Sequence, residues 1–246
     1  MLSPRIHHFE VVDSTNDVAL ELARRGEPEG TVVTARRQLQ GRGRRGRVWW
    51  DEPGQSVLIS AILTPGKPLE DLPQVTFVAS LAVAECLCAA YGLDVLLKWP
   101  NDVLSGGKKI AGILVELAFL QTGTAAVVGI GLNVNQMRFP PDLADTATSV
   151  ALETGRCWDV EESSLDLVDA LFTEYENYQH RGFEEILRRW RKYMWGCGGH
   201  SEVISEGRTL EGTMVGVDST GALILRDANG EEHVIHAVDA ISVEDR

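Results

Sequence analysis

The sequence predicts an α/β domain, a β-sheet with helices against it, followed by a small β-barrel. Short apolar and β-branched runs of strand length alternate with segments of helical period up to about residue 195. Past Gly199 that helical period stops. Short strand-like runs then alternate with turn clusters such as Asp218-Ser219-Thr220-Gly221 and Ala228-Asn229-Gly230. A length of 246 residues is enough for one sizeable core and an appendage. The expected division is residues 1–196 and 197–246.

Residues 6–12 (IHHFEVV) read as a short strand, and Asp13-Ser14-Thr15-Asn16 as a helix start. Val18, Leu22 and the intervening alanines carry the helix to about Arg25. Capping needs only one of Ser14, Thr15 and Asn16, so three adjacent polar residues there suit a polar ligand equally well. Residues 31–35 (TVVTA) form a strand that runs into an arginine-rich loop. Val48-Trp49-Trp50 adds aromatic bulk, residues 56–63 (SVLISAIL) are a buried strand, and 72–91 a long structural helix. A strand at 94–98 breaks at Pro100-Asn101-Asp102, and a short piece at 102–104 turns at Ser105-Gly106-Gly107. The next strands are 109–117 and 124–135, the latter with Gly129 and Gly131 inside it, where a ligand or another backbone comes close. Helices at 163–179 and 183–195 complete the domain, with Tyr175, Tyr178, Trp190 and Trp195 expected in the core. The barrel strands are expected at 201–204, 209–217, 222–226 and 232–236.

Composition narrows the classes. A net charge of -13 and a pI near 4.9 argue against a broad basic face for nucleic acid. Cys86, Cys88, Cys157 and Cys197 form no CxxC pair or zinc-type spacing, and the first two fall in an apolar helical run expected in the core. No basic-then-apolar leader, repeat or apolar run of membrane-spanning length is expected, which points to a cytoplasmic protein.

Against that acidic background, residues 36–47 (RRQLQGRGRRGR) hold six arginines, three glycines and no acid. Glycine lets a backbone close on a ligand, and arginine offers a fork of donors for carboxylate or phosphate. The loop is an anion clamp or, on its own residues, equally a solvated basic turn or a nucleic-acid patch. Gly41-Arg42-Gly43-Arg44-Arg45-Gly46 matches GxGxxG by spacing alone, with no acidic ribose ligand or βαβ repeat after it, and there is no P-loop. Lys98, Asn101, Asp102, Lys108 and Lys109 gather at the ends of one hairpin. They suit a reaction of a carboxylate, a nucleotide and magnesium, or else Lys108 and Lys109 are a solvated turn. His7 and His8 have no partner pattern.

Taken in order, DSTN, QLQGRGRRGR, KWPND, GGKKIAGILVE and GIGLNVN resemble the signature set of the biotin protein ligases, over roughly residues 10–195. The resemblance implies a mixed sheet flanked by helices, of the class II aminoacyl-tRNA synthetase-like or biotin–lipoate ligase fold, with an SH3-like C-terminal barrel. It implies that biotin's carboxylate attacks the α-phosphate of ATP, with Mg2+, to give biotinyl-5′-AMP. A lysine of a biotin carboxyl carrier protein then takes the biotin. By position, Ser14, Thr15, Asn16, Gln38, Gly41, Arg42 and Gly112 match biotin contacts. Arg44, Arg47, Asn101 and Asn133 match nucleotide contacts. Lys109 matches the lysine that bridges carboxylate and α-phosphate, Arg44 joins it at the phosphates, and Asp102 matches the aspartate that orients the acceptor lysine. No protein ligands for the metal are assigned. With DSTN starting at residue 13, the expectation is a ligase without the winged helix-turn-helix arm of the repressor members; oligomeric state stays open, since an exposed edge near Asn133 or in the barrel could pair two copies as a homodimer. A lipoate–protein ligase or octanoyltransferase of the same fold is the alternative. The GRGRRGR loop separates the two, because it resembles the biotin branch.

Overall fold

The computed structural model describes residues 2–121, 123–205 and 207–243, so residues 244–246 of the expected second domain lie outside the described residues. The first unit runs β1 (Arg5–Phe9), α1 (Thr15–Arg24), β2 (Thr31–Ala35), β3 (Ser56–Leu63), α2 (Gln74–Tyr91), β4 (Val95–Lys98), β5 (Asp102–Ser105), β6 (Lys108–Leu120) and β7 (Gly123–Asn133). Then follow α3 (Val150–Thr154), α4 (Val160–Arg181) and α5 (Phe183–Trp190). The strands form one seven-stranded mixed sheet in the order β1-β2-β3-β7-β6-β5-β4. Only β1 and β2 are parallel, and α1 supplies the crossover that a parallel pair needs.

Helix α2 is apolar nearly all round, with Glu85 its only charged residue, and such a helix must be buried. Leu69–Tyr91 is long and apolar enough to cross a membrane by length and composition, which corrects the expectation that no such run exists. The segment is instead mostly buried against α4, α5 and the sheet, as the core helix of the domain. Helix α1 packs on the opposite face of the sheet through Ala19, Leu20 and Ala23, against Val33, Ile62 and Val127.

The second unit is a five-stranded antiparallel sheet of β8 (His200–Ser205), β9 (Arg208–Val217), β10 (Leu223–Arg226), β11 (Glu232–Ile235) and β12 (Ala240–Val243), in the order β11-β10-β9-β8-β12. It is the SH3-like barrel expected, with one strand, β12, that the sequence reading lacked. It is joined to the first unit by polar contacts: Trp99 Nε1 donates to Gly221 O at 2.9 Å and Arg191 Nη2 to Val217 O at 2.7 Å.

Three other expectations change. Asn133 ends β7, which is hydrogen-bonded on both sides by β3 and β6, so no free edge lies there for a second copy. The edges of the large sheet are β1 and β4. Trp195 is half-buried against Lys98 rather than in the core, while Tyr175, Tyr178 and Trp190 are buried. Helix α3, five residues capped by Ser149, had no sequence assignment.

Candidate active site

A period of two sorts the side chains of the central strands onto two faces. Val57, Ile59, Ala61, Ala126, Val128, Ile130, Ala111 and Ile113 belong to the core under the helices. Their alternates Ser60, Gly112, Glu116, Gly129 and Gly131 fall on the other face, where register sets Ser60 opposite Gly129 and Gly112 opposite Gly131. The start of α1 and the arginine loop both cross this face. Between them lies a cavity of about 520 Å³.

The glycines make its floor. A Cβ on Gly129 would collide with Asn16 Oδ1, and one on Gly131 would lie 2.5 Å from the Trp49 indole, which also reaches over Gly112. Any side chain at these positions removes space that a ligand or its covering residue needs.

One end of the cavity is polar, with neutral side chains at its base. Ser60 Oγ lies 2.8 Å from Thr15 Oγ1 and 2.6 Å from Asn16 Oδ1, and Asn16 Nδ2 donates to Glu116 Oε2 at 2.8 Å. Thr15 donates to Gln38 Oε1 from its main-chain N at 2.8 Å and from its hydroxyl at 3.1 Å. Ser14 is the N-cap residue of α1 but its side chain makes no capping bond, so plain capping does not account for the triplet. Arg42 anchors the loop here, donating to Asp17 Oδ1 at 2.6 Å and to Glu116 Oε2 at 3.0 Å. Gly41 closes the loop's base, its carbonyl accepting from Trp49 N at 2.9 Å with no room for a Cβ under Trp49 O. Beside Gln38 sits Asp51. Burial raises its carboxyl to about 6 against the counter-pull of the Gln38 main-chain N–H and the Arg37 charge. Its oxygens, both shielded from water, make no hydrogen bond of good geometry.

The other end is cationic. Lys109 is pinned through its main chain, Lys109 N donating to Thr146 O at 2.8 Å and Thr148 N to Lys109 O at 2.9 Å. Its Nζ is free to meet Asp102 Oδ1 at 2.6 Å. Lys98 pairs with Asp102 across β4 and β5 and stands 4.5 Å over the Trp195 ring. Arg44 Nη1 donates to Asn101 Oδ1 at 3.2 Å, and Asn101 Nδ2 to Ile113 O at 3.0 Å. Burial, then the Arg45 charge, pulls the Arg44 guanidinium below its ordinary value. Burial likewise lowers Lys98, with Lys109 and Arg47 adding to it and Asp102 opposing. Asp102 faces Lys109, Lys98 and Arg44 together, so these three cations outnumber it and leave a surplus of positive charge that an anion would relieve. Lys108 is half-buried, its Nζ 3.5 Å from Ala144 O.

All the sequence-predicted site residues except Gly41 and the hairpin's Lys108 line this one cavity. Asn133 lines it with its side chain already engaged, Nδ2 donating to Thr148 O at 2.9 Å and Oδ1 accepting from Gln136 at 3.3 Å. It braces the wall rather than presenting an open group to a nucleotide. Arg47 turns to the barrel, donating to Asp239 O at 2.9 Å. Sequence reasoning missed Ser60, Glu116, Asp17 and Asp239. Ser60 and Glu116 each interrupt an apolar run inside a strand, which was a usable signal. Asp239 gave none, because only the fold brings it to the loop.

The matches to known proteins follow the same geometry. Residues 8–135 match the model of the biotin/lipoate A/B protein ligase family, and residues 202–240 that of the biotin protein ligase C-terminal domain. The chain is 37% identical over 240 residues to the bifunctional ligase/repressor BirA of Bacillus subtilis, covering 96% of this chain and 74% of that protein. It is 38% identical over 232 residues to the biotin–[acetyl-CoA-carboxylase] ligase of Paracoccus denitrificans, covering 89% and 93%. The biotin protein ligase of Aquifex aeolicus in complex with biotin and ATP superposes with a TM-score of 0.85 at 29% identity, over 98% of this chain and 99% of that one. The first family model also embraces lipoate enzymes, but the C-terminal model, the Paracoccus relative and the Aquifex structure carry the biotin ligase name. With both units matched and the motif residues gathered in one cavity, the chain belongs to the biotin protein ligase family.

Proposed function

We propose that the protein is an ATP-dependent biotin protein ligase that makes biotinyl-5′-AMP and passes the biotin to a lysine of a biotin carboxyl carrier domain. The observation that carries this reading is the polarity of the cavity, with neutral hydrogen-bonding groups at one end and a cation cluster around one carboxylate at the other. The neutral end suits the ureido ring of biotin, which offers donors and an acceptor but no charge. The glycine floor leaves a flat slot under Trp49 for its ring and side chain.

Bringing a carboxylate to a triphosphate sets two anions against each other. Lys109, Lys98 and Arg44 neutralise that repulsion where the carboxylate oxygen bonds the α-phosphorus and pyrophosphate leaves. In the second step the acceptor amine bonds the acyl carbon and AMP leaves. Asp102, held by Lys109, is placed to take the proton that the acceptor ammonium sheds to become the attacking amine, or to orient that amine. The loop above excludes water from the activated acyl group meanwhile.

Magnesium fits this site as a companion of the phosphates. Among the described residues the cavity holds no cluster of three ligand-bearing side chains, and Mg2+ keeps much of its water and binds through substrate phosphates. When bound it would supply charge neutralisation at the phosphates; Asp102 and Asp145 are carboxylates lining the cavity that the loop does not pair with. Four free cysteines fit a reducing, cytoplasmic setting.

The test incubates the protein with labelled biotin, ATP and a biotin carrier domain, beside the Lys109→Ala variant. Transfer of label to one carrier lysine by the wild type, and its loss in the variant, is the expected result. No label on the carrier and no ATP–pyrophosphate exchange would sink the reading.

A further inference from the structure

Of the neighbouring arginines of the loop, only Arg44 turns to the catalytic residues. At Arg45 the backbone takes φ 57 and ψ 34, a left-handed conformation that a bulky residue adopts only when its surroundings hold it there. That kink points successive side chains in different directions. Arg44 goes to Asn101, while Arg45 forms an ion pair with the Asp239 carboxylate and Arg47 donates to the main-chain carbonyl of the same residue. Asp239 precedes β12 of the barrel, and its own N–H is bonded to Ile204 O at 2.7 Å. The contact therefore ties the loop to a hydrogen-bonded part of the second unit. At its other end the loop is tied to the catalytic unit by Arg42 on Asp17 and Glu116.

We infer that Asp239 is a positioning residue: the barrel, through this one carboxylate, holds the arginine loop down over the reaction end and so sets how long the acyl-adenylate stays in the site. This deepens the ligase reading and rests on it. The division of labour is physical. Arg42 holds the ring end closed through partners in the same unit. Closure at the phosphate end depends on a residue 192 positions away from Arg47 in sequence. The Arg45–Asp239 pair is only about two-fifths exposed, so it is screened but not lost to water.

The experiment uses the full chain with Asp239→Asn, Arg45→Gln, the double variant, and the exchange Arg45→Asp with Asp239→Arg. Two readouts are followed: trypsin nicking after Arg42 or Arg47, sites that every variant keeps, in the unliganded protein, and the escape rate of biotinyl-5′-AMP into solution. Each single variant is expected to raise both rates roughly three- to fivefold, as loss of a half-exposed ion pair would. The double variant should be no worse than either single one, and the exchange should recover most of the loss. Affinity for biotin without ATP should not move. Nicking at the wild-type rate in Asp239→Asn, or additive effects in the double variant, would overturn the inference. A wild type that makes no biotinyl-5′-AMP overturns the ligase reading instead, and trypsin nicking alone then decides the latch.

Discussion

The ring end and the phosphate end of the cavity are built from opposite materials. At the ring end Thr15, Asn16 and Ser60 are buried, neutral and bonded to one another, above glycines of the central strands. At the phosphate end Lys109, Arg44 and Asp102 are partly exposed, charged, and carried on a hairpin and a loop. Buried neutral networks give shape discrimination, because an analogue that leaves one group unpaired loses the full cost of desolvating it. Exposed charge gives rate and adapts to a substrate whose own charge changes during the reaction. Selection of biotin and activation of it are thus assigned to different parts of one cavity.

The largest effect should come from the charged end. Lys109→Ala should slow adenylate formation by about 10² to 10³ while weakening biotin binding without ATP by no more than about tenfold, the loss of one contact to its carboxylate, measured by pyrophosphate exchange and by calorimetry. Equal losses in both would break the division. Next is Gly129→Ala, whose methyl would push Asn16 off its partners. Biotin affinity should fall on the order of ten- to a hundredfold, with ATP affinity unaffected. Arg44→Gln should raise the KM for ATP by about tenfold, the effect of losing a charge-assisted contact, and a matching loss of biotin affinity would refute its placement.

The smallest effect is the pH dependence of Asp51. Its folded pKa, near 6, lies above the unfolded value, so the folded protein holds more proton between about pH 4 and 6 and loses stability as pH rises through that window. Asp51→Asn keeps an oxygen for the Gln38 N–H without the charge. It should leave stability unchanged near pH 4 and raise it by about 1–2 kcal/mol above pH 6, after allowance for partial solvent access. Denaturant melts at both pH values check this, and a gain that is the same at pH 4 and 7 would rule out the titration.

The sequence showed the glycine floor and the cation cluster because each depends on local pattern. Gly129 and Gly131 alternate within one strand, and Lys98, Asp102 and Lys109 lie on adjoining strands of one meander. The main strands and helices were readable for the same reason, through runs of clear period. What stayed hidden is what joins distant segments. Glu116 as the partner of Arg42, the ladder between Lys109 and residues 146–148, and the loop's tie to Asp239 all cross long stretches of chain. Helix α3 was missed because five residues show barely one turn of a helical period, and β12, as short as the β10 and β11 that were read, is set off from β11 by no glycine, proline or asparagine turn signal.

The alternation that separates floor from core also makes the site intolerant of any change in strand length. Removing or inserting a single residue inside β6 or β7 would turn Ile130 or Ile113 up into the slot and drop glycines into the core beneath α2. Such a chain would lose packing and catalysis in the same step. For this protein, then, a working active site is also a report that the two central strands have paired in register. Selection for activity would clear misregistered variants that a stability screen alone would have to detect by degrees.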